Sequence, residues 1–380
     1  MHLILAMLPM LVLYSCKIDP PLHLRRLVEA EVAVDMNFEV NMMWQVDWET
    51  DWNFDWKTEV WGPLEYDPPA SIRMHTYTLG ADGERRTHIV NNFMGMNGTV
   101  SVFVGTHDLL FHNNDSEVLL FSAENDLAPI QANTRIISSG LKGSIPVKTT
   151  NQKRAEKTKD GVDEYESEPV AFQPDELYHL FDPAHYVSDN LNDYEFIDGR
   201  YVLKIKGELR PGTFIYLFQI HLLNNRGRVT GSAGGAALTG LAEGVDLQSG
   251  ITHTQTVSVP FDIFLNRESD PDLLGGRVMT FGIPGCDPFD EVSVKEAPQS
   301  PHFLVMNVTF ATGHYKNIRV DVTDLFRELP TGGVITLEID VDDFPPEDVD
   351  PPIDGGEGGG GFQALIGEWD EQVGSTTITN

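Results

Sequence analysis

The sequence predicts an all-β chain built as two tandem β-sandwiches, and three observations lead there. Apolar and polar residues alternate with period two over many short runs, which marks half-buried strands. Clusters of Gly, Asn and Asp separate the runs at intervals of ~8–12 residues, the spacing of a sandwich. The chain also holds 34 Gly and 23 Pro among 380 residues, a composition that favours turns over long helices. At this length it exceeds the ~250–300 residues at which a single core stops growing. Its 41% apolar content is enough for two cores.

The first element is the apolar run Met1–Leu13. It is too short for a spanning helix of ~20 residues but suits the centre of a signal peptide. It closes on Leu13-Tyr14-Ser15-Cys16, where a small residue stands directly before cysteine. Two readings follow: a lipoprotein signal over 1–16 with Cys16 acylated, or an ordinary signal peptide with an incidental cysteine. Arg25 and Arg26 then precede the strand-like Leu27–Val34. From Phe38 to Val60 the even positions include Trp44, Val46, Trp48, Trp52, Phe54 and Trp56. A helix would place Val46 and Phe54 roughly 200° away from the tryptophans, so the pattern is that of a strand. At ~3.3 Å per residue it would span about 75 Å, so it must bend near 49–53.

Strands at 72–79, 87–92, 99–105 and 117–122 complete a first sandwich over 27–147. Residues 148–168 carry a basic block, then an acidic one, with Val162 and Tyr165 as their only bulky apolar side chains. They read as a charged linker. A second sandwich fills 169–380, with strands at 201–209, 213–223, 255–266, 277–281, 302–311, 318–322, 334–341, 362–369 and 375–379. Thr213–Leu223 is apolar on both faces, as a central strand should be. Helical turns are expected at Pro174–Phe181 and Thr323–Leu329, the second capped from within Asp321–Asp324.

The formal charge of −32 repels phosphate backbones and anionic headgroups, which excludes nucleic acid as a partner. Attachment to a membrane must therefore be hydrophobic or covalent. No zinc-ligand spacing, paired cysteines, nucleophile elbow or phosphate loop is present. The expectation is a protein that is not an enzyme, with no cofactor, no metal and no catalytic residue. His107 and His112 form the only close histidine pair in a loop-like region and read as polar loop residues. Cys286 follows the turn-like Gly282-Ile283-Pro284-Gly285 and reads as structural. The acids at 340, 342, 343, 347, 348, 350 and 354 admit two readings, a calcium loop or a solvated extended segment. Trp44, Trp48, Trp52 and Trp56 likewise form either a core face or an exposed platform for ligand.

Several segments together resemble the fimbrillin-like lipoproteins of Bacteroidales. They are the Cys16 segment, the tryptophan strand around Trp48–Trp56, and His112-Asn113-Asn114-Asp115-Ser116-Glu117. Farther on come Ala237–Gly244, Thr280-Phe281-Gly282, Arg319–Thr323 and Gly361-Phe362 leading to Glu368-Trp369-Asp370. The resemblance implies two fimbrillin-type sandwiches and attachment to the outer membrane through a lipid on Cys16. It implies a surface-exposed pilus or adhesion subunit, with other fimbrial subunits or surface ligands as partners. Its alternative is a glycan-binding surface lipoprotein. In that family an N-terminal segment is removed by proteolysis, so Arg25-Arg26 admits two readings, a processing site or a plain tether. The segment 374–380 is either a donor strand for β-augmentation or an edge strand.

Overall fold

The computed structural model describes residues 27–36, 67–137 without Asn125, 152–154, and 165–349 without Glu268. Strands run in chain order as β1 (Leu27–Met36), β2 (Ser71–Leu79), β3 (Arg85–Met94), β4 (Asn97–Phe103) and β5 (Gly105–Asn113). Short strands β6 (Leu120–Ser122), β7 (Gln131–Asn133), β8 (Gln152–Arg154) and β9 (Tyr165–Ser167) follow. Then come β10 (Tyr178–Val187), β11 (Glu195–Ile197), β12 (Arg200–Pro211), β13 (Phe214–Leu223), β14 (Val229–Ala242) and β15 (Gly244–Asp246). The last strands are β16 (Thr256–Phe261), β17 (Ile263–Asn266), β18 (Asp272–Thr280), β19 (Phe303–Phe310), β20 (Tyr315–Asp321) and β21 (Gly333–Asp340). Short helices α1 (Glu291–Glu296), α2 (Thr323–Glu328) and α3 (Pro346–Val349) lie among them. The all-β, sandwich-type expectation therefore holds.

The first sheet has the order β3-β2-β5-β10-β12-β1-β4, with β11 beside β12. Its end strands β3 and β4 also touch, so the sheet rolls back on itself. Alternate residues fill the interior: Val28, Ala30, Val32 and Val34 from β1, Ile72 and Met74 from β2, Leu109 and Phe111 from β5. The second unit pairs the sheet β17-β18-β13-β21 with the sheet β16-β14-β19-β20. Between them pack Phe214, Tyr216, Phe218 and Ile220 of β13, Leu238 and Leu241 of β14, and Met306 and Val308 of β19. Phe218 stacks on Phe261 at 5.4 Å. Ile215 and Leu217, on the other face of β13, join the first core. One strand thus carries side chains into both cores.

Three expectations need correction, and one strand is not among those expected. The segment 148–168 does not divide the sheets, because β10 and β12, after it, pair with β5 and β1, before it. Its described part forms a short β8–β9 ladder instead. The chain leaves the first sheet at Pro211 and enters the second at Phe214. Pro174–Phe181 is not a helical turn: Tyr178–Phe181 open β10 and pair with β5 and β12. The glycine-rich stretch near 230–240 is a full strand, β14, with register shifts after Val229 and Ser232. Finally, His107 and His112 are not loop residues; both are buried on β5. The turn expected at Thr323–Leu329 is α2, and Asp321 Oδ1 accepts the Thr323 N–H at 3.0 Å.

Candidate functional site

The strand that follows Arg25-Arg26 organises a surface cleft among the described residues. In Leu27-Val28-Glu29-Ala30-Glu31-Val32-Ala33-Val34 the even positions are buried and the odd positions face outward, as period two dictates. β1 lies inside the sheet, parallel to β12 over seven residues and antiparallel to β4 over another seven. Glu29 pairs with Arg200 at 3.0 Å. Glu31 pairs with Lys204, which also lies 4.0 Å from Glu195 on β11. Such exposed pairs contribute little stability each, but they fix register between strands.

A shallow cleft of about 530 Å³ opens along this seam, lined by Glu31, Asn97, Thr99, Glu195, Lys204 and Lys206 among others. Its floor at Gly98 is tight. A Cβ there would stand 1.9 Å from the Phe93 ring, so only glycine lets β4 cross that ring. At the cleft's rim, β11 and β12 form a hairpin closed by Asp198-Gly199, whose φ values are 49° and 82°. Two left-handed residues are what a type I′ turn requires, and Asp-Gly supplies them. The hairpin presents Phe196 and Tyr201 as a tilted pair with ring centroids 5.1 Å apart. They are 66% and 49% exposed, a high exposure for adjacent aromatic rings. Sequence reading missed this pair, although Asp-Gly between apolar residues was a legible hairpin signal.

The residues singled out from sequence fall in different places. Cys16, Arg25, Arg26, Trp44, Trp48, Trp52 and Trp56 lie outside the described residues, as do Asp350, Asp354 and the segment 374–380. Of the acidic stretch, Asp340 accepts from Asn224 Nδ2 at 3.0 Å and from the Asp342 N–H at 2.9 Å. Those bonds hold its carboxyl below the usual range. Asp342 pairs with Arg228, so both carboxylates have protein partners. Cys286 is buried, and burial pushes its thiol up to about 11. Its N–H donates to Thr252 Oγ1 at 3.1 Å, a structural role.

No family model matches the chain, and no curated protein does. Solved structures do resemble it. A candidate adhesin from Bacteroides ovatus is 14% identical, with 86% of this chain and 94% of that one covered and a TM-score of 0.47. A candidate polysaccharide-binding protein from Bacteroides thetaiotaomicron is 6% identical, covering 82% and 90%, at a TM-score of 0.44. The fimbrial anchor protein Mfa2 from Porphyromonas gingivalis is 12% identical, covering 82% and 91%, at a TM-score of 0.38. The chain's structural neighbours are thus candidate adhesins and fimbrial proteins of Bacteroidales.

Proposed function

We propose that this protein is a fimbria- or adhesion-related subunit at the cell surface, held to the outer membrane by a lipid on Cys16. The observation that carries the reading is the position of β1. It starts at Leu27, one residue after Arg26, and is hydrogen-bonded on both sides deep in the first sheet. A cut after Arg26 would release the lipid-bearing segment and leave β1 seated. The trimmed protein would keep β1 paired with β12 and β4, so the cut would open no seam between those two strands for a neighbour's strand. That behaviour suits an anchored accessory subunit better than a polymerising pilin. The test is incubation with an arginine-specific protease, followed by light scattering. A trimmed, stable monomer is expected; growth into polymers that requires Arg25 and Arg26 would refute the accessory role. Anchoring is tested separately: Cys16→Ala should leave the protein out of the detergent phase, and unchanged partitioning would end the lipid claim.

A second reading, glycan binding, is favoured by one specific feature. Phe196 and Tyr201 stand exposed as adjacent rings on the β11–β12 hairpin, whose opposite face contributes Glu195 and Lys204 to the cleft. Flat apolar rings next to hydrogen-bonding groups are what a pyranose needs for stacking and orientation. Glycan-array binding that is lost in Phe196→Ala/Tyr201→Ala would establish it. Equal binding by that variant, or none by the wild type, would remove it.

A further inference from the structure

The face of β2 and β5 turned away from the first core carries Arg73, His75 and Tyr77 on β2 and His112 on β5. Antiparallel register places Arg73 opposite His112 and Tyr77 opposite His88 of β3, so His75 lies diagonally between two other imidazoles. The small sheet β15-β7-β6 caps this face, with Leu119, Ile130 and Ala132 packed beside Tyr77 and Leu110. Phe121 of β6 lies 4.5 Å from the His112 ring. His75 and His112 are both fully buried.

Their nitrogens meet. His75 Nε2 stands 3.0 Å from His112 Nε2, and His75 Nδ1 stands 2.8 Å from His88 Nε2. His112 Nδ1 lies 2.7 Å from the Asn113 carbonyl. A carbonyl only accepts, so His112 carries its proton on Nδ1 and turns a lone pair on Nε2 toward His75. Glu124, two residues beyond β6, reaches the same point from the cap. Its Oε1 is 4.0 Å from His112 Nε2, and the donor atoms of His75, His112 and Glu124 all lie within 4.8 Å of one another.

We propose that His75 Nε2, His112 Nε2 and Glu124 Oε1 form a binding site for a zinc-class divalent ion that fastens the cap to the first sheet. The donor set, two neutral imidazoles and a carboxylate, matches known preferences of zinc, with one position left for water. Distances agree. At Zn–N lengths of ~2.0–2.1 Å a tetrahedral angle sets the nitrogens about 3.3 Å apart, so the two rings need part by only about 0.3 Å. The outer partners are already in place. The Asn113 carbonyl orients His112 through the ring nitrogen that does not face the ion, the usual second contact of a metal-bound imidazole. Arg73 pairs with Glu124 and donates from Nε to Asn92 Oδ1 at 2.9 Å. The Arg73–Glu124 pair uses the same Oε1 that would ligate the ion, so binding requires the carboxylate to turn and hand Oε2 to Arg73.

The protons balance without a change of charge on the rings. Metal-free, His75 donates from Nε2 to His112 and accepts at Nδ1 from His88 Nε2. With the ion bound, His75 carries its proton on Nδ1 and donates to His88 Nε2. His88, partly exposed, completes the exchange with solvent by taking its own proton on Nδ1. All three rings remain neutral, so binding at pH 7 requires no net proton release.

Cobalt(II) added to the chelator-treated full chain tests the site. One equivalent should bind with the visible d–d band of a four-coordinate ion, zinc should displace it, and zinc should raise Tm by more than about 3 °C. His112→Asn should abolish the band. Should His112→Asn fail to fold, Glu124→Gln decides, since it replaces a half-buried side chain outside the apolar cores; affinity should fall at least about 10-fold. Absence of one-equivalent saturable binding in the wild type overturns the site. So does a band that persists in His112→Asn, or an unchanged affinity in Glu124→Gln.

Discussion

β13 and the β2–β5 pair are both buried on two faces, yet they meet that condition by opposite means. β13 fills both sides mainly with hydrocarbon, sending Phe214, Tyr216, Phe218 and Ile220 one way and Ile215 and Leu217 the other, with buried Gln219 beside them donating to Thr336 Oγ1 at 3.3 Å. Each such apolar side chain contributes ~1.5–3 kcal/mol by leaving water. β2 and β5 give one face to Ile72, Met74, Leu109 and Phe111, and the other to Arg73, His75, His112 and Asp108. There burial is tolerated because most of the groups satisfy one another: the imidazoles are linked in a row, and Asp108 takes Arg85 Nε at 2.9 Å, although the buried Tyr77 hydroxyl has no hydrogen-bond partner among the described residues. Two-sided burial therefore does not require two apolar faces. It requires that most of the buried polar groups find partners.

The difference can be sharpened by experiment, and the largest effect belongs to β13. Phe218→Ala removes a ring stacked on Phe261 in a core with no exposure, and should cost ~3–5 kcal/mol. Urea denaturation measures it, and a loss under about 1 kcal/mol would show that the middle layer is not where stability resides.

In the metal-free protein, acid should destabilise β2 and β5. Burial holds His75 down to about 2 and His112 down to about 4. A histidine depressed in the folded state gains its proton on unfolding. The stability it lends is complete above about 6.5 and is lost as pH falls toward those lower values. Each contributes a slope approaching about 1.4 kcal/mol per pH unit between pH 6.5 and 4. The double variant His75→Asn/His112→Asn should flatten that slope. An unchanged slope would mean that acid sensitivity arises elsewhere, as at His302, also held near 4 by burial.

Glu176 has the opposite sign. Burial raises its carboxyl to about 7, so its contribution is full at low pH and fades as pH rises through about 7. Glu176→Gln should match the wild type at pH 5 and exceed it in thermal stability at pH 8, by under about 1 kcal/mol once solvent screening is counted. Equal melting curves at pH 8 would contradict the raised value. The smallest effect is on the surface of α1, where Lys295 and Glu291 pair at 3.5 Å while mostly exposed. Glu291→Gln should change stability by less than about 0.5 kcal/mol in urea; a larger loss would give this pair a role beyond the helix surface.

The contrast between the two regions also explains which of them could be read in advance. The sequence of β13 announces itself, because an apolar run on both faces has few other uses. β2 was found for a related reason, its alternation from Ile72 to Leu79. β10 was misread because Leu177, Tyr178, Leu180 and Phe181 stand at three- and four-residue spacings that imitate a helix. What decides the matter is pairing with β5, a contact between distant residues. β14 was hidden by its glycines, which argue against strands in isolation. At Gly235 the reason emerges only in three dimensions: a Cβ would lie 2.3 Å from the Phe261 carbonyl oxygen. The cluster of His75, His88, His112 and Glu124 carries no sequence spacing at all. Period two places 73, 75 and 77 on one side, but only the register of three strands brings the imidazoles together.

β1 has a further consequence, a mechanical one. A tension applied at Leu27 along the strand axis meets two ladders at once, β12 on one side and β4 on the other. Both run lengthwise with the load, so their hydrogen bonds are strained together in shear, whereas a pull across a ladder would peel them one at a time. Rupture under shear demands near-simultaneous loss of many bonds, which raises the barrier and slows forced unfolding. A domain tethered through its leading strand would then yield last at the point where it is pulled, a useful property under flow.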